Sequence, residues 1–443
     1  MGVDVGYGPA MMDAPDATPP TLFTDVDVFD SRTGKVTGPF HVLVRDGLIT
    51  TVARGGLAPA GADGALVVDG RGRTLMPGLI DAHWHTTLCN VTLSDILSAD
   101  VGYLHLAAGV GAEQTLLRGF TTVRDASGPA FALKRAIDEG LIPGPRIYPS
   151  GAIITQTGGH GDFRTTSEIP RGIVSEFSRA EYIGASVLAD GPHEVLRAAR
   201  EQLMHGASQI KIAAGGGVIS AYDPIDVSEY GFEEMRAAVE AAENFGTYVL
   251  AHAYIPRSVQ TALQAGVRCI EHGQLLDRTT VEMIVEKDAW WCLQPFLVDE
   301  GSSSDAPSET QTKLEQVSEG TDRAYALAKE LGAKVAWGTD LLFDPAQAAT
   351  QGMQLARMVR WYTPAEVLSM ATLSNAALVA LSGPRNPYPG RLGVIEEGAY
   401  ADLLLIDGNP LDDITFLTRP EASMLVIMKA GQIAQNLLSP PLN

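Results

Sequence analysis

Short apolar segments alternate with amphipathic segments along most of this chain, and this alternation limits the folds that it can adopt. The amphipathic segments, such as residues 193–205 and 232–245, have the apolar spacing of helices that are buried on one face. Strands that alternate with helices are typical of a parallel sheet, and eight of them predict an α/β fold, a (β/α)8 TIM barrel, over residues 75–384. The eight candidate strands are residues 75–85, 120–125, 146–151, 209–215, 247–253, 269–273, 290–295 and 334–340.

Both ends of the chain show a different pattern, in which apolar stretches are separated by Gly-rich turns. This pattern is typical of strands joined by turns, and it predicts that residues 21–74 and 385–443 pair into one small β-sandwich domain. Residues 1–20 are rich in Gly, Pro and Asp and are expected to form a flexible N-terminal arm. The acidic, Ser-rich residues 298–312 follow the seventh strand, either as a solvated connector or as a mobile lid over the barrel mouth.

The charge balance argues against several kinds of partner. The chain has 32 Lys and Arg against 53 Asp and Glu, a formal net charge of −21. A field of this sign repels nucleic-acid phosphates and anionic lipids, so we expect no nucleic-acid partner and no membrane partner. No apolar run approaches the ~20 residues that span a bilayer. The first twenty residues contain no Lys or Arg and therefore do not have the pattern of a signal peptide, so we expect the protein in the cytoplasm. Three cysteines without a CxxC pattern indicate neither a disulfide framework nor a zinc knuckle.

Reactive side chains lie at the ends of several predicted strands, on the side of such a barrel where active sites form. His83 and His85 end the first strand, and both imidazoles are expected on one face because side chains alternate along a strand. Lys211 lies between two isoleucines of the fourth strand and is expected to face the barrel interior. His252 ends the fifth strand, on the same face as Leu250.

The sixth and eighth strands end in the same way. His272 ends the sixth strand, and alternation predicts that it faces inward while Glu271 lies on the outer face. Asp340 ends the eighth strand and is expected to share the inner face with Gly338 and Ala336.

Each of these residues could be structural on its own, and the argument depends on their combination. Four imidazoles, one carboxylate and one lysine would be costly to bury together without a compensating charge. Neutral imidazole and carboxylate are natural ligands of a divalent metal, which removes that cost. The sequence therefore predicts a metal centre at the barrel mouth.

Six segments of the chain resemble the amidohydrolase superfamily, and the resemblance covers nearly its whole length. They are PGLIDAHWH (77–85), KIAAGGGV (211–218), HA (252–253), EHG (271–273), GTD (338–340) and GVIEEGAYADLLLIDGNPLDDI (393–414). In the binuclear members, the resemblance implies that Lys211 is N6-carboxylysine and bridges two divalent metal ions. His83, His85 and Asp340 would then hold one metal, and His252 and His272 the other. The His-rich donor set favours Zn2+, with Mn2+ or Co2+ as alternatives.

A narrower resemblance concerns PSGAIITQTGGHGDFR (149–164), which is similar to the branch with Xaa-Pro and Xaa-Arg/Lys dipeptidases, carboxypeptidases and ochratoxinase. It implies that His160 lies near the substrate, although a loop-bracing role is the alternative. Tyr222 and Tyr230 are candidate hydrogen-bond donors to substrate, with surface packing as the alternative. Members of this branch commonly form homo-oligomers, often octamers, and the apolar residues 424–430 offer a possible contact surface.

These residues predict hydrolysis of a small-molecule amide or peptide substrate. Two metals would make hydroxide available for attack on an amide carbonyl, and Asp340 would move the proton to the leaving nitrogen. The favoured substrates are a dipeptide or an N-acyl amino acid. The alternatives are a xenobiotic amide, carbamate, urea or ester, and a barrel that binds metal and ligand without turnover.

Overall fold

A computed structural model describes residues 19–56, 59–168, 177–220, 222–297 and 308–438. Its strands are β1 Thr21–Asp30, β2 Lys35–Arg45, β3 Leu48–Arg54, β4 Leu66–Pro77, β5 Leu79–Trp84, β6 Phe120–Asp125, β7 Arg146–Pro149, β8 Ile153–Thr155, β9 Ser186–Leu188, β10 Ile210–Ala213, β11 Val249–Ala253, β12 Cys269–His272, β13 Trp290–Leu293, β14 Lys334–Trp337, β15 Leu403–Ile406, β16 Met424–Lys429 and β17 Gln432–Asn436. Its α-helices are α1 Leu93–Ser98, α2 Val101–Leu117, α3 Phe131–Asp138, α4 Arg179–Tyr182, α5 Pro192–His205, α6 Phe232–Asn244, α7 Pro256–Ala265, α8 Arg278–Glu286, α9 Ser308–Leu331, α10 Pro345–Ala348, α11 Gln351–Ala356, α12 Pro364–Ser369, α13 Asn375–Val379 and α14 Pro420–Ser423.

Two sequence expectations concern segments at the limits of these ranges. Residues 1–18 of the expected arm and residues 298–307 of the Ser-rich segment lie outside the described residues. The expectation of a loop over residues 308–312 is wrong, because these residues begin α9.

Strands from both ends of the chain form one seven-stranded sheet, in the order β17-β16-β15-β4-β1-β2-β3. Strand β1 is an interior strand, since it pairs with β4 in parallel and with β2 in antiparallel orientation. Strand β15 connects the C-terminal strands to β4, with Leu403 opposite Pro77 and Ile406 opposite Thr74. The seven strands pair continuously, and their arrangement as two packed layers of a sandwich stays a prediction.

The remaining strands lie in two parallel groups, β14-β13-β12-β11-β10-β8-β9 and β5-β6-β7. The α/β fold with parallel strands is therefore confirmed. The predicted third strand is shorter than expected, because β7 ends at Pro149. Strands β8 and β9 were not predicted, since three residues are too few to show a periodicity.

Strands β5 and β14 are joined by no backbone ladder in the described ranges. Side-chain hydrogen bonds and one backbone hydrogen bond, from the N–H of Asp340 to the carbonyl of His83 (2.8 Å), connect them. Asn375 of α13 donates from Nδ2 to the carbonyls of Ile80 (2.7 Å) and Trp337 (2.8 Å). Asp81 accepts hydrogen bonds from the backbone N–H (3.2 Å) and the hydroxyl (2.7 Å) of Thr339. These contacts hold the ends of β5 and β14 side by side.

The core of the parallel-strand region includes a large helix-facing layer and a smaller interior cluster contributed mostly by the strands. In the helix-facing layer, the rings of Phe120 and Trp337 stack with centroids 5.9 Å apart. The interior cluster is rich in small side chains and consists of Ala82, Ala126, Tyr248, Leu250, Cys269, Cys292, Ala336 and Leu378. This leaves room for two buried charged side chains, Arg124 and Glu271, which contact Cys269.

One helical segment in the described ranges, Pro364–Arg385, is long and apolar enough to cross a membrane by length and composition alone. Half of its tested window is buried inside the protein. Asn375, near its centre, forms the hydrogen bonds to β5 and β14 described above. Its apolar side chains therefore belong to the protein core.

Candidate metal centre and active site

Three histidines from the ends of two strands, β5 and β12, converge on Asp340, which follows β14. Its Oδ1 lies 2.9 Å from His85 Nε2 and 3.1 Å from His83 Nε2. Its other oxygen, Oδ2, lies 4.0 Å from His272 Nδ1. Imidazole nitrogens and a carboxylate at these separations are the kind of donor set that binds a divalent cation.

An unusual backbone conformation directs the side chains of His272 and Asp340 into this cluster. His272 has φ +72° and Asp340 has φ +58°, both in the left-handed region that residues other than glycine rarely adopt. The expectation that Glu271 lies on the outer face is wrong, because its buried carboxylate points inward and contacts His83. Strict alternation holds only for extended backbone, and His272 departs from that conformation.

His252 and Lys211 extend the cluster along β11 and β10. The ring of His252 lies 4.4 Å from that of His272 in an edge-on arrangement, and its Nε2 is 3.2 Å from the carbonyl of Gly216. Lys211 is buried and has neither a hydrogen bond nor an ion pair with any described residue. A buried amine without a partner is unusual, so this part of the site fits a group that would compensate it.

The electrostatics keep most of the imidazoles in the form that binds metals. Burial lowers the pKa of His85, and it lowers the pKa of His252 and His272 well below the usual value for histidine. Burial also lowers the pKa of the Lys211 amine, although Glu271 and Asp340 oppose this shift. Neutral imidazole, and an amine that loses its proton readily, are suited to metal ligation and to carboxylation respectively.

His160 lies beside this cluster, with its ring stacked on that of His252 at 3.8 Å and 12°. Its Nδ1 is 2.6 Å from the Ser220 hydroxyl and 3.3 Å from Asp223 Oδ2, and its backbone N–H donates to Glu229 Oε1 at 2.7 Å. The half-buried ring is therefore oriented by the loop after β10, which leaves Nε2 for another partner.

The two tyrosines predicted from sequence are placed differently. Tyr222 is exposed on the loop after β10. Tyr230 packs in the helix-facing core, and its hydroxyl donates to the carbonyl of Ala189 at 2.7 Å. This position is at odds with its expected role as a substrate donor, because the hydroxyl proton is already used by the backbone.

Sequence reasoning missed Tyr254, whose ring stacks on His272 at 4.9 Å and meets His252 edge-on at 5.3 Å. Tyr254 is a buried residue, and its hydroxyl has no hydrogen bond to any residue within the described ranges. Its position two residues after His252 was a usable signal, since residues i and i+2 share a face in an extended segment.

Gln294 and Arg124 were also missed. The Oε1 of Gln294 is 2.7 Å from His272 Nδ1, and Arg124 donates to Glu271. A long polar side chain in the middle of a predicted buried strand was the available signal, but it does not reveal the partner.

Comparison with known proteins agrees with this geometry. The profile of the amidohydrolase family matches residues 74–433, and the chain belongs to this family. It is 32% identical to ochratoxinase of Aspergillus niger over 377 residues, covering 81% of this chain and 75% of that protein.

Two solved structures are similar over almost the whole chain. An amidohydrolase has a TM-score of 0.85 at 35% identity and covers 95% of this chain and 100% of its own. A prolidase in complex with N-methylphosphonate-L-proline has a TM-score of 0.85 at 33% identity, with 94% and 100% covered. The resemblance to the branch with dipeptidases and ochratoxinase is thereby confirmed.

The contact between Gly217 and His160 allows a first test. A Cβ atom on Gly217 would lie 2.0 Å from His160 Nδ1, so Gly217→Ala is expected to displace the imidazole and break its stacking on His252. Since misplacement by about 1 Å can cost on the order of 10²-fold, we expect a comparable loss of hydrolytic rate. Gly109→Ala on α2 is the control, because its Cβ would come no closer than 3.5 Å to a neighbour. Unchanged turnover with an undisplaced His160 would contradict this role.

Proposed function

We propose that this protein is a binuclear metal-dependent hydrolase that cleaves the amide bond of a dipeptide or an N-acyl amino acid. The observation that carries the proposal is the convergence of His83 and His85 on Asp340, with the unpaired, buried Lys211 nearby. Membership of the amidohydrolase family and the likeness to a prolidase bound to a proline phosphonate support the amide substrate.

The side chains that would hold the metals come from five strand ends. His83, His85 and Asp340 would bind one ion, and His252 with His272 the second. Carboxylation of Lys211 would give an anion that bridges the two. The imidazole-rich donor set favours Zn2+.

When bound, the two cations would lower the pKa of water and polarise a substrate carbonyl. Asp340 is the base nearest to the mouth, and its Oδ2 takes the proton of the attacking water and passes it to the leaving nitrogen. The free hydroxyl of Tyr254 donates to the developing oxyanion. His160, oriented by Asp223 and Ser220 through Nδ1, presents Nε2 to the substrate.

A second candidate function follows from the likeness to ochratoxinase. The same machinery would hydrolyse a xenobiotic amide of the ochratoxin type, and carbamates, ureas and esters are chemically related substrates. The two candidates differ in the acyl group, which is an aminoacyl or simple acyl group in the first and an aryl acyl group in the second. The leaving group is an amino acid in both.

The test is a panel of dipeptides and N-aroyl amino acids, assayed with the metal-loaded protein and with Asp340→Asn. Asparagine retains the size and one coordinating oxygen but takes no proton at neutral pH. Loss of a general base costs on the order of 10²–10⁴ in rate, so kcat per metal-loaded chain should fall by that amount while inhibitor affinity is retained. Near-native turnover of Asp340→Asn at full occupancy would leave Asp340 as a ligand only. No hydrolysis of any amide by the wild type would contradict the proposal itself.

The bridging role of Lys211 has its own test. Lys211→Ala is expected to lose the binuclear centre, because it removes the amine that would carry the carboxylate, while a smaller apolar side chain still fits the buried position. The measurement is metal content per chain, with circular dichroism as the folding control. Reconstitution of the wild type should also depend on bicarbonate. Two tightly held metals in the alanine variant would refute the bridge.

For the architecture, we infer that the two parallel strand groups close into one (β/α)8 barrel over residues 75–384. The contacts of Asn375 and Asp81 between β5 and β14 support closure. The terminal sheet, expected over residues 21–74 and 385–443, would be the second domain. Because β4 ends at Pro77, its boundary with the barrel follows residue 77 and not residue 74. We place the protein in the cytoplasm, and its three free cysteines suit a reducing compartment.

We also propose a homo-oligomer, possibly an octamer, although the surface differs from the one expected. Residues 424–430 largely coincide with β16, which is paired on both sides and buries most of its apolar side chains. Helix α2 instead exposes Tyr103, Leu106 and Val110 at the spacing of one helical face. Helix α2 contains no Lys or Arg, so the same face of a second copy could pack against it without repulsion between basic side chains.

Light scattering should therefore give a mass that is a multiple of 47.0 kDa. Leu106→Glu places a charge at the centre of the exposed face and should lower that mass. Met204→Glu is the matched control, since Met204 is similarly exposed on α5. A wild-type mass of one chain would rule out the oligomer, and an unchanged mass in Leu106→Glu would rule out this surface.

A further inference from the structure

We propose that Arg124 and Glu271 are positioning residues, a buried ion pair that fixes the orientation and tautomer of His83 and so sets the affinity of the metal that His83 would hold. This inference rests on the proposed function, because it assumes that His83 is a metal ligand. Neither Arg124 nor Glu271 is a metal ligand in that proposal.

The carboxylate of Glu271 lies at the centre of a saturated hydrogen-bond network. It accepts from His83 Nδ1 at 2.6 Å and from Arg124 Nη2, which is 2.7 Å from one oxygen and 2.8 Å from the other. The thiol of Cys269 donates to it at 2.9 Å. Both Arg124 and Glu271 are fully buried.

This network determines which nitrogen of His83 carries the proton. A carboxylate that already accepts from a guanidinium can only accept from the imidazole, so Nδ1 must be the protonated nitrogen. The other nitrogen, Nε2, then presents its lone pair toward Asp340, where the distance is 3.1 Å. An anionic partner on one imidazole nitrogen also raises the basicity of the other, which strengthens it as a metal ligand.

The other histidines of the cluster are oriented by neutral groups. His85 Nδ1 faces the carbonyl of Ser127 at 3.1 Å, and His272 Nδ1 faces the amide oxygen of Gln294 at 2.7 Å. Of these three histidines, His83 is thus the one whose Nδ1 has a charged partner among the described residues. The affinity for the metal held by His83 should therefore depend on the partner of its Nδ1 more strongly than the affinity for the metal held by His252 and His272 depends on theirs.

The role of Arg124 follows from the burial of Glu271. A buried carboxylate that faces only an imidazole would be expensive to keep ionised. Arg124 supplies the compensating charge, and its own remaining donors bind the carbonyl of Ala82 and the hydroxyl of Tyr248. The guanidinium therefore keeps the acceptor of His83 in place without itself reaching the mouth.

Removal of one partner would leave a buried charge uncompensated and would unfold the protein or weaken it, whatever its role. The test therefore uses two double variants in which both charges are absent. Arg124→Met with Glu271→Gln keeps a neutral acceptor for His83 Nδ1. Arg124→Met with Glu271→Leu removes the acceptor. The two differ in the hydrogen bond to His83 and in the weaker one from the Cys269 thiol.

The measurement is the dissociation constant of each metal ion, obtained by chelator competition with Zn2+ and from the visible spectrum of the Co2+ form. Loss of such an outer partner typically weakens metal binding about 10–100-fold. We expect this loss for one of the two ions in the Leu double variant, an altered Co2+ spectrum, and partial recovery in the Gln double variant. Asp402→Asn is the stability control, because it breaks the buried pair with Arg146, which lies away from the histidines. It should lower the melting temperature without changing either constant.

The outcomes separate the two levels of the argument. Wild-type protein that binds no divalent metal tightly would contradict the proposed function. Wild-type protein that binds two ions, together with a Leu double variant that binds both with unchanged constants, would overturn only the positioning role of Arg124 and Glu271.

Discussion

The meeting of β5 and β14 is the constraint on which the rest of the site depends. His83 and Asp340 are 257 positions apart in the printed numbering, yet the backbone N–H of Asp340 donates to the carbonyl of His83 at 2.8 Å. The same junction contains the hydrogen bonds of Asp81 and Asn375. Since Asp340 is the carboxylate on which the histidines converge, a shift of one strand relative to the other would separate the donor set.

The second constraint is the treatment of buried charge. The strands enclose small side chains such as Ala82 and Ala336, and this leaves space for polar groups beneath the mouth. Glu271 and Arg124 neutralise each other there, whereas Lys211 has no partner among the residues described. The contrast indicates that the buried charges beneath the site are compensated by other protein groups, whereas the charges at its mouth need an additional charged group to compensate them.

Much of this could be predicted from sequence, and the failures have physical causes. His83 and His85 share a face because their strand is extended, so spacing alone placed them correctly. Glu271 was misplaced because the left-handed backbone of His272 breaks the alternation at the strand end. The loop position of Tyr230 suggested a substrate contact, and only the packed structure shows that its hydroxyl donates to the carbonyl of Ala189. Pairing between residues of distant strands, as between Arg124 and Glu271, leaves no trace in local periodicity.

The most direct test of the account is anomalous diffraction at the zinc edge from crystals grown with Zn2+ and bicarbonate. The account predicts two peaks, one ligated by His83, His85 and Asp340 and the other by His252 and His272. It also predicts density for a carboxylate on Lys211 between them. A single peak elsewhere, or none with an unmodified Lys211, would contradict the claim that these strand ends build a two-metal hydrolytic centre.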